Sequence, residues 1–232
     1  MSTADVTIYG AGIFGLSIGW SCVTRGVKVR IIEKSGIGFG SSGSLVGALS
    51  PHTPDNWNAK KQFQFDSLAM SKKYWTNVEY KSGKSTGFIN SGRLQSIQDQ
   101  RQMALANERV EGAKTRWGGS MVWNIVGGER FGEWKPLSKT GLYIYDNLSA
   151  SITPSAVLSA LAKAITKSGS EIIIGDAAEQ GKVLYATGYK DLENISKELT
   201  QPVGSGVKGQ ALIVGYDASD MPQLSANGIH VV

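Results

Sequence analysis

The 232-residue sequence has one cysteine, two histidines and six prolines, and no long uninterrupted apolar run. The lone cysteine, Cys22, excludes a disulfide framework within the chain and fits a reducing compartment. It falls in the first helical segment, where we expect a buried structural thiol. His52 and His230 are too few to build a histidine-rich metal site, so no metal is expected. No apolar stretch is long enough to span a bilayer, and no membrane partner is expected. The apolar run from Val6 begins almost at once, lacks a basic leader and is broken by Gly10, Gly12 and Gly15. That is not the pattern of an export signal, and the reading is a cytoplasmic protein. Blocks of like charge are also missing. Net charge is +5, but Lys60, Lys61, Lys72, Lys73, Lys81 and Lys84 alternate with polar and apolar residues. Such dispersion reads as a solvated face and argues against a nucleic-acid partner.

Hydrophobic residues at 41% and charged residues at 19% place the chain among ordinary folded proteins of one or two domains. Glycine is plentiful, at 29 residues, and Gly36, Gly38, Gly40 and Gly43 are clustered. That clustering suggests backbone held close to a ligand or in tight turns.

Val6-Thr7-Ile8-Tyr9 reads as a strand, followed by a helix to about Arg25 that Gly26 ends. A second strand from Val27 finishes at Glu33, which completes one βαβ unit. Apolar spacing predicts a long amphipathic helix over residues 58–80. A strand is expected over 92–97 and a helix over 98–110. Thr153-Pro154 reads as an N-cap with proline in the first turn of a helix whose buried face is Val157, Leu158, Leu161, Ala162 and Ile165. Strands are expected over 171–174, 182–186, 209–214 and 229–232, and a helix over 191–199. The α/β alternation is interrupted from about Gly87 to Lys139. The pattern therefore predicts a parallel-sheet α/β domain, residues 1–84 and 140–200, into which a discontinuous α+β domain, residues 85–139 and 201–232, is inserted.

Gly10-Ala11-Gly12-Ile13-Phe14-Gly15 fits G-x-G-x-x-G between a strand and a helix, the context that the pattern requires. The first glycine permits the turn, the second lets backbone N–H groups approach a pyrophosphate, and the third lets helix pack on strand. Glu33 ends the second strand, where a carboxylate bonds ribose hydroxyls and would repel a 2′-phosphate. A dinucleotide site follows from this spacing. NAD and FAD share it.

The choice between them comes from a resemblance. Glu33-Lys34 is followed by Gly38-Phe39-Gly40-Ser41-Ser42-Gly43-Ser44 and then by Gly47-Ala48-Leu49-Ser50-Pro51-His52. Ser151-Ile152-Thr153-Pro154, Ala186-Thr187-Gly188 and Lys208-Gly209-Gln210-Ala211-Leu212 come later, in that order. Together these stretches resemble the D-amino acid oxidase/glycine oxidase family of flavoproteins. The resemblance implies a Rossmann-like FAD domain with an inserted substrate domain. It implies FAD contacts from Gly10, Ala11, Gly12, Ile13, Phe14, Gly15, Glu33, Lys34, Ser41, Ser42, Gly47, Ala48, Leu49, Thr187 and Gly188. Some relatives attach flavin through a histidine just before the loop glycine. Alignment on Gly47 puts Ser44 there, so non-covalent FAD is expected. The family also continues past the position that matches Val232, and Ile229-His230-Val231-Val232 reads as an apolar strand; the expectation is a chain whose C-terminal part is missing.

The implied chemistry is oxidation of the C–N bond of a small amino acid or amine by hydride transfer to flavin N5, with oxygen or another acceptor reoxidising the flavin. His230 falls where relatives carry an aromatic side chain facing substrate; it is a candidate catalytic residue, with a packed or solvated strand histidine as the alternative. His52 is a second candidate, and shaping the Ser50-Pro51 turn is its alternative role. Two other functions stand beside oxidation: a non-catalytic fragment of the FAD fold, and a tRNA-modifying relative with a similar FAD domain.

Overall fold

The computed structural model describes residues 3–232, and they divide into two compact units. The first comprises the stretch ending at Val46, Thr76–Thr86 and Thr153–Val214. Its centre is a four-stranded sheet made from β1 (Val6–Tyr9), β2 (Val29–Glu33), β8 (Glu171–Ile174) and β9 (Lys182–Tyr185), in the order β8-β2-β1-β9. Every pairing in it is parallel. Helix α1 (Ile13–Val23) crosses from β1 to β2, and α4 (Pro154–Lys167) precedes β8. Ile8, Leu16, Ile31, Leu161 and Ile165 are fully buried here, and each such side chain contributes about 1.5–3 kcal/mol. Gly19 shows how closely α1 lies on its neighbours. A methyl group there would come 2.9 Å from Ile31 Cδ1 and 3.3 Å from Ile165 Cδ1.

The second unit comprises Gly47–Trp75, Gly87–Ile152 and Gly215–Val232. Its main sheet contains β4 (Arg93–Ser96), β5 (Trp123–Gly127), β6 (Leu142–Asp146), β10 (Gln223–Ala226) and β11 (Ile229–Val231), ordered β11-β10-β4-β6-β5. Only the pairing of β10 with β4 is parallel. A separate two-residue pair joins β3 (Ala48–Leu49) to β7 (Ala150–Ser151). Alternation gives the main sheet two apolar faces. Ile144 and Trp123 pack with Leu68 of α2 (Ala59–Ser82) and with Ala106, Ala113 and Trp117, at or just after α3 (Gln100–Arg116). Leu94, Tyr143 and Phe131 form the other cluster.

Several expectations need correction. The stretch 209–214 pairs with no strand among the described residues, and Leu212, Ile213 and Val214 are exposed. Its apolar composition suits a strand, but a strand needs a ladder partner, and propensity alone does not supply one. Helix α3 extends well past Val110 and starts from Asp99, whose side chain accepts the Gln102 N–H. Thr153 occupies the N-cap of α4 but makes no side-chain cap bond. On that helix Ala160 and Ala164 are buried while Ala162 is only half-buried. Cys22 is half-buried instead of buried. The division of the chain also differs from the expected boundaries. Residues 140–152 fall in the second unit because β6 pairs with β4 and β5. Residues 47–75 fall there as well, and residues 201–214 fall in the first unit.

Candidate cofactor site

In the first unit the turn after β1 is built by close backbone approach. Gly10 has a φ of +104°, and a side chain on it would overlap the Ala186 carbonyl oxygen at the end of β9. Gly15 sits directly over the Gly10 carbonyl oxygen, which a methyl group would also overlap. Both positions therefore demand glycine on steric grounds. Gly12 is different. The nearest atom to a Cβ there is Ser42 Oγ at 3.1 Å, the far end of a small side chain. Gly12 is the N-cap of α1 and supplies no side-chain cap, and the first turn carries no acidic residue. The helix's own first turn therefore adds no negative charge to its start, which favours an anion there. Ser42 Oγ accepts the Ile13 N–H at 2.9 Å. Phe14 is exposed.

Glu33 ends β2 and reaches back to the turn. Its Oε2 accepts the Ala11 N–H at 2.8 Å and its Oε1 accepts the Ser35 N–H at 3.0 Å. Burial pushes the Glu33 carboxyl up, but N–H donors of Ala11, Ser35 and Gly36, with Lys190 nearby, outweigh it and hold the group below the ordinary carboxylate value. Glu33 is therefore a carboxylate at neutral pH and also fastens the glycine turn. The sequence suggested only the ribose role for it. The structure adds the bond to Ala11, which no spacing rule foretold.

Other predicted contacts in this unit are placed as follows. Ser41 and Ser42 begin the 3-10 turn Ser41–Gly43, with Ser41 exposed and Ser42 half-buried. Lys34 is exposed. The Thr187 hydroxyl donates to Asp191 Oδ2 at 3.0 Å, and Gly188 opens the 3-10 turn Gly188–Asp191. Bonds from Asn194 and Thr187 lower the Asp191 carboxyl, and Lys34 adds to this. Lys190 and Asp191 were not singled out in the sequence; nothing in their local pattern marks them, and only folding brings their charges to Glu33 and Lys34.

In the second unit, Gly47 lies against Ile152. Its carbonyl accepts the Ile152 N–H at 2.9 Å, and a side chain on Gly47 would overlap the Ile152 carbonyl oxygen. Ala48 and Leu49 then pair with Ser151 and Ala150. His52 donates its backbone N–H to Gln64 Oε1 at 2.5 Å. His230 is on β11, opposite Ser225, and its Nε2 is 2.9 Å from Gln223 Oε1. On the same face Arg93 Nε lies 3.1 Å from Asp146 Oδ2, a pair with 11% and 0% side-chain exposure. Burial pushes the Asp146 carboxyl up, against the pull of Arg93 and of the Ser149 donors. His230 thus joins a polar row that the sequence did not reveal.

The groups around Gly12 and Glu33 suit a dinucleotide: a side-chain-free N-cap at Gly12, an anionic carboxylate at the next strand end, and no acidic residue in the first turn. The family of FAD dependent oxidoreductases matches residues 5–227 of this sequence. The chain belongs to that family. FAD is the cofactor on which the family depends, and the residues present fit it. Similar folds are found in glycine oxidase from Geobacillus kaustophilus, with a TM-score of 0.64 and 18% identity, covering 82% of this chain and 56% of the oxidase. L-amino acid deaminase from Proteus vulgaris gives 0.68 and 19%, covering 87% and 57%. Iminodiacetate oxidase from Chelativorans sp. BNC1 gives 0.70 and 14%, covering 94% and 65%. Identities this low show the shared fold alone. The chain spans little more than half of the oxidase and deaminase chains. A stretch of 120 residues is 22% identical to a tRNA 5-methylaminomethyl-2-thiouridine biosynthesis bifunctional protein from Hydrogenovibrio crunogenus, covering 50% of this chain and 18% of that protein. Among the described residues, no helix is long and apolar enough to cross a membrane.

Proposed function

We propose that this FAD dependent oxidoreductase oxidises the C–N bond of a small amino acid or related amine, with FAD held non-covalently. The observation that carries the reading is the turn at Gly10, Gly12 and Gly15 fastened by Glu33, within a family match over nearly the whole chain. When bound, FAD supplies the hydride acceptor, so the protein's task is to orient and shield the reactants. Gly12 and the start of α1 would receive the pyrophosphate, and Glu33 would bond a ribose hydroxyl with a lone pair not used by Ala11 or Ser35. Lys34, Ser41, Ser42, Thr187 and Gly188 would border the dinucleotide, and Gly47, Ala48 and Leu49 are flavin contacts by resemblance to the family. Ser44, where some relatives have histidine, supports non-covalent attachment. His230 faces the substrate, and oxygen or another acceptor completes the cycle.

The test is anaerobic mixing of the FAD-loaded protein with glycine, sarcosine and other small amino acids and amines. Loss of the oxidised flavin absorbance, with formation of an imine-derived carbonyl product, is the expected result. A flavin that dithionite bleaches but no amine reduces would overturn the proposal. The 120-residue match to the tRNA-biosynthesis protein supports a second reading, in which the amine is carried on RNA. Flavin reduction by a modified tRNA, and not by free amino acids, would favour it.

A further inference from the structure

Gln223 is only 3% exposed, yet both ends of its amide are engaged. Its Nε2 donates to the Ala150 carbonyl at 2.6 Å. Its Oε1 faces His230 Nε2 at 2.9 Å and accepts from Ser50 Oγ at 3.3 Å. The Ala150 carbonyl can only accept, so the amide nitrogen must point to it and the amide oxygen must point to His230. An amide oxygen cannot donate, so the proton of a neutral His230 ring resides on Nε2 and the lone pair on Nδ1. Ala150 pairs with Leu49, and Ser50 follows Leu49 directly. One buried side chain therefore connects His230 to the segment that includes Gly47, Ala48 and Leu49.

We propose that Gln223 is a positioning residue: by accepting from Nε2 it holds His230 with Nδ1 as the base that takes a proton from the substrate ammonium group. The proton leaves the substrate nitrogen for Nδ1, giving the neutral amine that hydride transfer requires and an imidazolium that returns its proton to water. His230 is exposed enough for that return. This inference rests on the amine-oxidation reading. The charged groups that face His230 are Arg93 on β4 and Asp146 on β6. Burial lowers the His230 value, Arg93 lowers it further and Asp146 opposes both, so the ring is held below its ordinary value and is neutral at neutral pH. A ring in that state can accept a proton.

The sequence has two histidines, which makes the test direct. The full chain, loaded with FAD and labelled with 15N-histidine, is studied by ring-nitrogen NMR, and a His52→Gln variant assigns the signals. The expected result is the Nε2–H tautomer for His230 in the unaltered protein, and a mixture of tautomers in Gln223→Leu. In Gln223→Leu the rate of flavin reduction by amine should fall about tenfold or more, because proton transfer by a positioned base is worth about a hundredfold or more. Gln223→Glu keeps an acceptor, so it should retain the Nε2–H form and raise the His230 pKa. The tautomer of the unaltered protein decides even if the Gln223 variants misfold. Amine oxidation with His230 in the Nδ1–H form overturns the role of Gln223 and leaves the oxidation reading standing. The Nε2–H form in a protein that oxidises no amine overturns the oxidation reading, and with it the role assigned to Nδ1.

Discussion

Gly12 and Gly15 belong to one motif, but a methyl group would meet different atoms at each. At Gly15 it would overlap the Gly10 carbonyl oxygen, a backbone atom of a turn whose Gly10 N–H is tied to the Ile32 carbonyl; at Gly12 it would meet Ser42 Oγ at 3.1 Å, a side-chain atom that can shift at the cost of its bond to the Ile13 N–H. Gly15→Ala should therefore destabilise the fold by at least the roughly 1–3 kcal/mol typical of overpacking. Gly12→Val should leave the fold standing and lower FAD affinity about a hundredfold or more, since the side chain occupies the pyrophosphate approach. Thermal unfolding and flavin fluorescence titration of both variants separate the two effects, and equal behaviour would contradict the site. Glu33 adds a pH signature. Its folded value lies below the ordinary 4.5, so its contribution is present above that pH and is lost as pH falls through the folded value. The difference in melting temperature between the unaltered protein and Glu33→Gln should accordingly be clear at pH 7 and vanish in acid. A difference that stays constant with pH would show that the Ala11 bond does not depend on charge. Glu33→Ala should also weaken FAD binding about tenfold to a hundredfold, the worth of a charged hydrogen bond.

At the scale of elements, β4 and β6 are joined by a charge pair that water hardly reaches. Removing one member leaves the other buried without a partner, at a cost of about 3–5 kcal/mol. Asp146→Ala should therefore be severely destabilised in urea unfolding, and Arg93→Met combined with Asp146→Leu should recover much of the loss. A single-variant cost under about 1 kcal/mol would show that the pair is not structural. Elements whose own residues carry the signal were legible in the sequence. The strand-turn-helix around Gly10 and the apolar face of α4 are such cases, because periodicity records burial locally. The rest depends on partners. The stretch 209–214 has a strand's composition and no ladder, and α3 was read too short because only Ala106 and Ala113 are buried along it. Asp99 followed three residues later by Gln102 was a readable helix start. The approach of Gln223 to Ala150, 73 residues apart in sequence, had no local trace, so His230 could be named but not its orientation.

For the whole molecule, the account requires that FAD bind the folded chain and stabilise it. A ligand at a hundred times its dissociation constant adds about 2.7 kcal/mol to a protein that binds it only when folded. The melting temperature should rise with FAD concentration and should not respond to NAD. The most direct test is a parallel titration of the purified protein with FAD and with NAD, followed by flavin absorbance, fluorescence and thermal unfolding, using Gly12→Val as the control. The account predicts saturable FAD binding with a perturbed flavin spectrum, a stabilising shift that Gly12→Val abolishes, and no comparable response to NAD. Tight NAD binding without flavin uptake, or FAD binding that Gly12→Val leaves unchanged, would contradict it.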